Sequence, residues 1–382
     1  MAKSSLDGLH GILRHCMKSL EYLLAKHNRF KDDGVGIAGF IRQDQRRDTL
    51  RRCVHILFEK GYQLSDVANL KPKHIQVIAD HWKESGLSGS SICIYFSSLS
   101  CLCAWVGKGT MIRSPKEYYP DPSFLITKKE ATKITGWFEQ DIDVGAIIRR
   151  VYEHDSQVAV ILLIQAFFGL RAMEAGMFRP HLADQQTHLA VNWGTKGNRD
   201  RTVPFTDQKQ IEIMEFLKRH AIGPNGSMIP RQYSQSQWRN HWHYVLRKNG
   251  ISREDGLVTH GLRHSYAIRM YEALSDSVAP VKGIADRYIS KDDAYNARQQ
   301  TSEHLGHNRD NITDMYTGNL KKQRKKLNDK GTILPTQEQI RAAQSDPKAH
   351  YSVFEAIQDA EKDRNAKEEA RRFLLENPIE ID

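Results

Sequence analysis

The chain has 382 residues, 40% of them hydrophobic, enough for two compact domains and a tail. Its 56 Lys and Arg against 46 Asp and Glu give a formal net charge of +10 and a pI near 9.2, which predisposes it to a polyanionic partner. The surplus is uneven: residues 331–382 hold 7 basic and 11 acidic side chains, so the tail carries −4 and the first 330 residues +14.

Two classes are set aside at once. The most apolar run, Val158 to Phe168, is too short to span a bilayer, and the first residues show no signal-peptide pattern, so a soluble intracellular protein is expected. The five cysteines (Cys16, Cys53, Cys93, Cys101 and Cys103) lie in the first third without paired spacing, as reduced thiols do. Cys101-x-Cys103 lacks a matching CxxC or His pair, and the rings of His241-x-His243 leave a helix on different sides, so no metal is expected.

In chain order, helical spacing predicts helices over Leu6–His27, Gln43–Lys60, Lys73–Ser85 and Ser90–Trp105, a small bundle with few strand signals. The basic run holding Arg42, Arg46, Arg47 and Arg51 is a candidate face for a phosphate backbone; an ordinary solvated helix face is the other reading. Residues 111–126, rich in proline and without periodicity, read as an extended linker. A helix is then expected to begin near Thr127, where Lys-Lys-Glu follows a threonine cap.

Beyond it, Ser156–Phe168 reads as a core helix stopped by Gly169. Thr187–Trp193 and Arg201–Phe205 alternate like strands around a glycine-containing turn, which predicts a β-hairpin. Helical patterns return at Gln208–His220 and Gln235–Lys248, followed by a polar insertion near residues 276–297. The tail predicts helices over Gln337–Gln344 and Tyr351–Leu375, the second with Val353, Phe354, Ile357, Phe373 and Leu374 as its apolar positions. The fold class expected is mainly α with a small β-sheet. It divides into a helical domain over 1–110, a linker over 111–126, an α+β domain over 127–330 and a tail over 331–382.

Four short segments carry chemistry: Phe168-Gly-Leu-Arg171-Ala-Met-Glu174, Thr195-Lys196-Gly-Asn-Arg199-Asp-Arg201, His260-Gly-Leu-Arg263-His264, and Leu305-Gly-His307 leading to Tyr316. Singly, each has an ordinary explanation: a salt-bridged Arg171, a solvated Lys196, surface neighbours His260 and Arg263, a core Tyr316. Their order and types together are far more specific. They resemble the tyrosine site-specific recombinase, or phage integrase, family over about Thr127 to Leu320, half the chain. There an Arg, a hairpin Lys, His-x-x-Arg, a His or Trp after Leu-Gly, and a nucleophilic Tyr occur in this order.

The chemistry accounts for the residue types. Cleaving a phosphodiester without a metal needs a nucleophile, an acid for the leaving group, and donors for charge on the nonbridging oxygens. Two guanidiniums give paired donors and stay charged, which suits Arg171 and Arg263. By resemblance, Tyr316 is the nucleophile, Lys196 the acid that protonates the departing 5′-oxygen, His260 the group that takes and returns the tyrosine proton, and His307 a donor to the phosphate. Glu174, one turn after Arg171, is expected to orient a catalytic side chain or brace the fold, while Arg199 and Arg201 are candidate DNA-backbone contacts.

The resemblance further implies a 3′-phosphotyrosine intermediate, no cofactor, and double-stranded DNA with inverted-repeat core sites as substrate. It also implies assembly to a tetramer that passes through a Holliday junction. The N-terminal bundle resembles family core-binding (SAM-like) domains in helix count and basic character. With the catalytic domain it would close a C-shaped clamp, and the tail would dock on a neighbouring protomer. A DNA-bending or directionality factor, no membrane, and a cytoplasmic, nucleoid-associated location in a prokaryote or phage complete the expectation, with integration of a mobile element the first choice of role. A type IB topoisomerase shares the Arg-Lys-Arg-His-Tyr set, and a catalytically silent DNA-binding protein of the same fold is the remaining alternative.

Overall fold

A computed structural model describes residues 8–32, 35–126, 130–195, 200–284, 286–307, 312–329 and 335–376, with side chains as far as Arg372. Lys196, Arg199 and the expected helix start at Thr127 lie outside the described residues. The chain divides into two compact units, residues 1–128 and 129–382.

In the first unit, four helices form where apolar spacing predicts them: α1 (Gly11–His27), α2 (Phe40–Glu59), α3 (Pro72–Glu84) and α4 (Gly89–Trp105). Pro72 opens α3, where its missing N–H costs nothing, and the Ser88 hydroxyl caps α4 by accepting from the Ser91 amide at 3.2 Å. Leu20, Leu50, Ile75, Ile78 and Leu99 meet in one apolar core. Residues 111–126 are not the free linker that their prolines suggest. They form short 3-10 turns over Pro115–Tyr118 and Ser123–Leu125 and bury Tyr118, Tyr119 and Leu125 in the same core. The reason is aromatic burial: Tyr118 and Tyr119 pack on the Phe96 ring, and the Tyr119 hydroxyl donates to the Ala79 carbonyl at 3.0 Å. Gly89 is required here, since a Cβ would lie 2.0 Å from the Phe124 carbonyl oxygen.

In the second unit no α-helix occurs among residues 130–143; the first, α5 (Val144–His154), starts where Asp143 accepts from the Ala146 amide at 2.9 Å. The residues before it are held by the buried Trp137, whose ring N–H donates to the Val258 carbonyl at 2.8 Å. Helix α6 (Ser156–Phe168) is apolar on all sides because it is the centre of the unit: every residue from Gln157 to Phe168 is buried. Asp155 caps its start, and Gly169, at φ 60°, ends it in the left-handed conformation that glycine tolerates. Short helices α7 (Ala172–Gly176) and α8 (Pro180–Ala183) lead into the hairpin of β1 (His188–Val191) and β2 (Arg201–Pro204). The strands are antiparallel, with Leu189 opposite Val203 and Val191 opposite Arg201, and they are the one sheet among the described residues.

Helices α9 (Gln208–Arg219) and α10 (Gln235–Lys248) follow the sequence pattern closely, and α11 (His260–Ser275), which the pattern did not single out, comes next. The polar insertion contains a 3-10 turn over Pro280–Lys282 and the start of helix α12 (Lys291–His304). Then come α13 (Asp314–Thr317), α14 (Leu320–Asp329), α15 (Gln337–Ala342) and α16 (Tyr351–Glu376). In the single chain, α16 packs on α5 and α6 of its own unit, burying Val353, Phe354, Ile357 and Ala360 in the unit's main core. These four positions are covered within the chain, while the side chains of Phe373 and Leu374 lie outside the described residues. Among the described residues no helix is long and apolar enough to cross a membrane, and no His/Cys/Asp/Glu group is arranged to hold a metal ion.

Candidate active site

The site is assembled from five segments of the second unit. Helix α6 delivers Gly169 and, two residues on, Arg171, the extended residue that precedes α7. Glu174 sits one turn into α7, fully buried; it accepts from the Arg171 amide at 2.8 Å and from the Arg171 guanidinium at 2.5 Å. From β2, Arg201 donates to the two oxygens of Glu174 at 3.0 and 2.8 Å. Burial alone would raise the Glu174 carboxyl, but Arg201 and Arg171 outweigh it and hold the pKa at about 2.

Helix α11 presents His260, Arg263 and His264 at positions i, i+3 and i+4, so all three share a face. Arg263 is fully buried. Its guanidinium donates to the Gly169 carbonyl and, at 2.5 Å, to the Leu305 carbonyl, and one nitrogen lies 3.9 Å from Glu174. Those carbonyls terminate α6 and α12, so two helix ends turn their partial negative charge on one cation. This explains how a buried guanidinium is tolerated, although burial still lowers its pKa to about 10.

Tyr316 lies on α13, which is fastened from both sides. The Thr313 hydroxyl donates to the Arg298 carbonyl at 3.1 Å, and Asp314 receives Arg298 at 3.3 Å and Asn319 at 2.6 Å. The Asp314 carbonyl accepts from the Ala131 amide at 2.7 Å. The phenol is buried, with its hydroxyl 3.4 Å from both Arg263 Nε and His307 Nε2. His307 Nε2 is in turn 3.4 Å from Arg171 and from Arg263. These spacings are longer than strong hydrogen bonds. They bring four polar groups around one point without any pair closing tightly.

The His260 ring centroid is 5.8 Å from that of Tyr316, and the His264 ring is nearer at 4.7 Å. Desolvation first, then the Arg263 and Arg171 guanidiniums, push the His260 pKa well below the ordinary imidazole range. His260 is therefore a neutral imidazole, able to accept a proton, near neutral pH. His264 is depressed further, to about 3, by burial and then by His260 and Arg263.

The structure thus brings together Arg171, Glu174, Arg201, His260, Arg263, His307 and Tyr316, while Lys196 and Arg199 fall outside the described residues. Two expectations change. Arg201 is no backbone-reading surface arginine: it shares the inward face of β2 with the buried Val203 and has only 6% of its side chain exposed. The alternation Arg201-Thr202-Val203 carried that signal. His264, to which the motif gives no role, lies on the same face of α11 as His260 and against the Tyr316 ring. The α2 arginines also differ from the reading of an open basic face. Arg46 is buried, donating to Asp32 at 2.5 Å and to the Phe30 carbonyl at 3.1 Å. Arg42 pairs with Asp32, Arg47 with Asp44 and Arg51 with Glu21.

Arg171, Arg201 and the buried Arg263 gather beside the Tyr316 hydroxyl on a mainly helical unit with one hairpin, an arrangement that suits a DNA strand-breaking and rejoining enzyme. Comparison with known proteins bears this out. Residues 129–269 match the integrase family model, and residues 28–112 match the phage integrase N-terminal model. Tyrosine recombinase XerA of Thermococcus kodakarensis is 24% identical over 260 residues, 66% of this chain and 79% of that protein. The chain belongs to the tyrosine site-specific recombinase family and is a site-specific DNA recombinase. Solved structures share the fold. XerH recombinase bound to a palindromic difH substrate has a TM-score of 0.51 and 15% identity, covering 87% of this chain and 99% of that one. A lambda integrase dimer bound to a core site has a TM-score of 0.50 and 14% identity, covering 82% and 83%.

Proposed function

We propose that Tyr316 is the nucleophile and that the surrounding groups divide the work of phosphoryl transfer on double-stranded DNA. The Tyr316 oxygen attacks the scissile phosphorus, the P–O5′ bond breaks, and a 3′-phosphotyrosine bond takes its place. Neutral His260 takes the phenol proton, and Lys196 gives a proton to the departing 5′-oxygen. Arg171, Arg263 and His307 hold the nonbridging oxygens, whose charge grows as the phosphorus becomes five-coordinate. Because the phosphate ester is conserved, reversal by another strand's 5′-hydroxyl reseals the DNA without an external energy source.

The observation that carries this reading is the Tyr316 hydroxyl, 3.4 Å from both Arg263 and His307, with Arg171 next to the same histidine nitrogen. The substrate is double-stranded DNA with inverted core sites, on which protomers assemble as a tetramer and exchange strands through a Holliday junction. Bound DNA in the lambda integrase and XerH structures supports the duplex as partner. The +14 charge of residues 1–330 agrees with it.

The test uses nicked suicide duplexes tiled from DNA flanking the protein's own gene, incubated without metal or ATP and run on a denaturing gel. Wild type is expected to leave a covalent adduct and Tyr316→Phe none. Specific binding by wild type without any adduct would overturn the reading in favour of a silent DNA-binding protein.

A further inference from the structure

We propose that Arg201 is a positioning residue, holding Arg171 toward the scissile phosphate through their shared carboxylate, Glu174. The inference rests on the phosphoryl-transfer reading given above and adds to it a residue that never touches DNA.

Three observations carry it. Arg201 stands opposite Val191 in the hairpin and faces inward with Val203, so its side chain enters the unit instead of the solvent. Both of its terminal nitrogens engage Glu174, at 3.0 and 2.8 Å, while the same carboxylate takes the amide and guanidinium of Arg171. Finally, Gly306 lies against the Arg201 stem: a Cβ there would be 2.5 Å from Arg201 Cδ, and φ is +68°. Arg201 therefore joins the hairpin strand, the Arg171 turn and the Leu305-Gly306-His307 turn. Glycine in that last motif is required by its neighbour as well as by its backbone.

The charge arithmetic gives the role. Glu174 with Arg171 alone would be a closed ion pair, its cation largely spent on its own carboxylate. A bidentate competitor on that carboxylate leaves Arg171 anchored but only partly neutralised, with 22% of its side chain exposed. Without Arg201, Arg171 would be drawn fully onto Glu174, and a misplacement of about 1 Å costs on the order of 10²-fold in rate.

The experiment compares wild type, Arg201→Gln, Arg201→Lys and Tyr316→Phe in single-turnover cleavage of the nicked duplex at saturating protein, with duplex affinity measured across salt. Thermal melts set the temperature at which each variant is folded. Arg201→Gln is expected to cleave about 10²-fold more slowly, with affinity and salt slope within twofold of wild type, and Arg201→Lys to recover part of the rate. The acid limb of its cleavage profile should rise, because Glu174 loses its strongest partner; carbon-detected NMR of the Glu174 carboxyl should show that rise with no DNA present. Equal rates in wild type and Arg201→Gln, or an unmoved Glu174 titration, would overturn the proposal. So would a loss confined to affinity with the salt slope reduced by about one, the mark of a phosphate contact. A cleaving Tyr316→Phe would instead sink the site assignment and leave the Arg201 comparison readable.

Discussion

Two arginine clusters in this chain look alike in sequence and behave differently in the folded molecule. On α2, each arginine meets a carboxylate of its own surroundings: Arg42 and Arg46 with Asp32, Arg47 with Asp44, Arg51 with Glu21. In the second unit, Arg171, Arg201 and Arg263 share Glu174, the one carboxylate within ion-pair distance of them among the described residues. The first cluster is close to neutral and braces a bundle. The second holds a surplus of positive charge, kept in place by a buried carboxylate and two helix ends, and directed at a tyrosine hydroxyl. Counting arginines in a sequence cannot separate these cases. Counting the acids that fold beside them can.

The comparison can be broken at several points. Glu174→Gln removes the shared carboxylate and leaves buried guanidiniums unpaired, so the second unit should lose about 3–5 kcal/mol in denaturant unfolding; a loss below about 1 kcal/mol would mean that the helix ends suffice. Arg263→Lys keeps the charge but loses the planar fork, and cleavage should fall by about 10²–10³-fold, the usual cost of one donor to a developing oxyanion. Kinetics at saturating duplex would read it.

Acid should separate the two units. Burial, as the largest cause, pushes the imidazoles of His264 and His350 down to about 3 and about 2, and lowers those of His260 and His304 as well. The unfolded chain, with imidazoles near pH 6.5, binds those protons first, so stability is lost as pH falls below about 6.5. In the first unit the corresponding group is His74 alone among the described residues. Hydrogen exchange between pH 7 and 4 should therefore show earlier loss of protection in α11 than in α2.

Smaller effects test the α2 cluster. Arg46→Met should cost roughly 1–3 kcal/mol, because the Phe30 carbonyl loses its donor and Asp32 keeps only Arg42 and Ser97, with little change in DNA affinity per folded molecule. Arg47→Ala, on an exposed pair, should change stability by less than about 0.5 kcal/mol. If Arg47 does meet phosphate, its salt slope will drop by about one.

Much of this was legible because it is local. The spacing of apolar residues located α2, α3, α4, α6 and the hairpin to within a few residues, and Gly169 marked the end of α6. The four motifs, chosen because their residue types and order suit phosphoryl transfer, are the segments whose described residues the fold brings together around Tyr316. What was missed depends on partners distant in sequence. Arg46 is buried by Asp32 and Phe30, Arg51 is held by Glu21, and Arg201 by Glu174, 27 residues away. Prolines made residues 111–126 look free, although their tyrosines fit a core built by α3 and α4. The threonine cap signal near residue 127 led to no helix over 130–143, where Trp137 is buried instead. Likewise, α16 showed Val353, Phe354 and Ile357 as apolar in sequence but not the partners that bury them, which lie on α5 and α6.

The most direct test of the central claim is mass spectrometry of the trapped protein–DNA adduct after nuclease and trypsin. The account predicts a nucleotide remnant on Tyr316, within the tryptic peptide spanning residues 310–321. A remnant on any other residue, or an adduct that survives Tyr316→Phe, would contradict it.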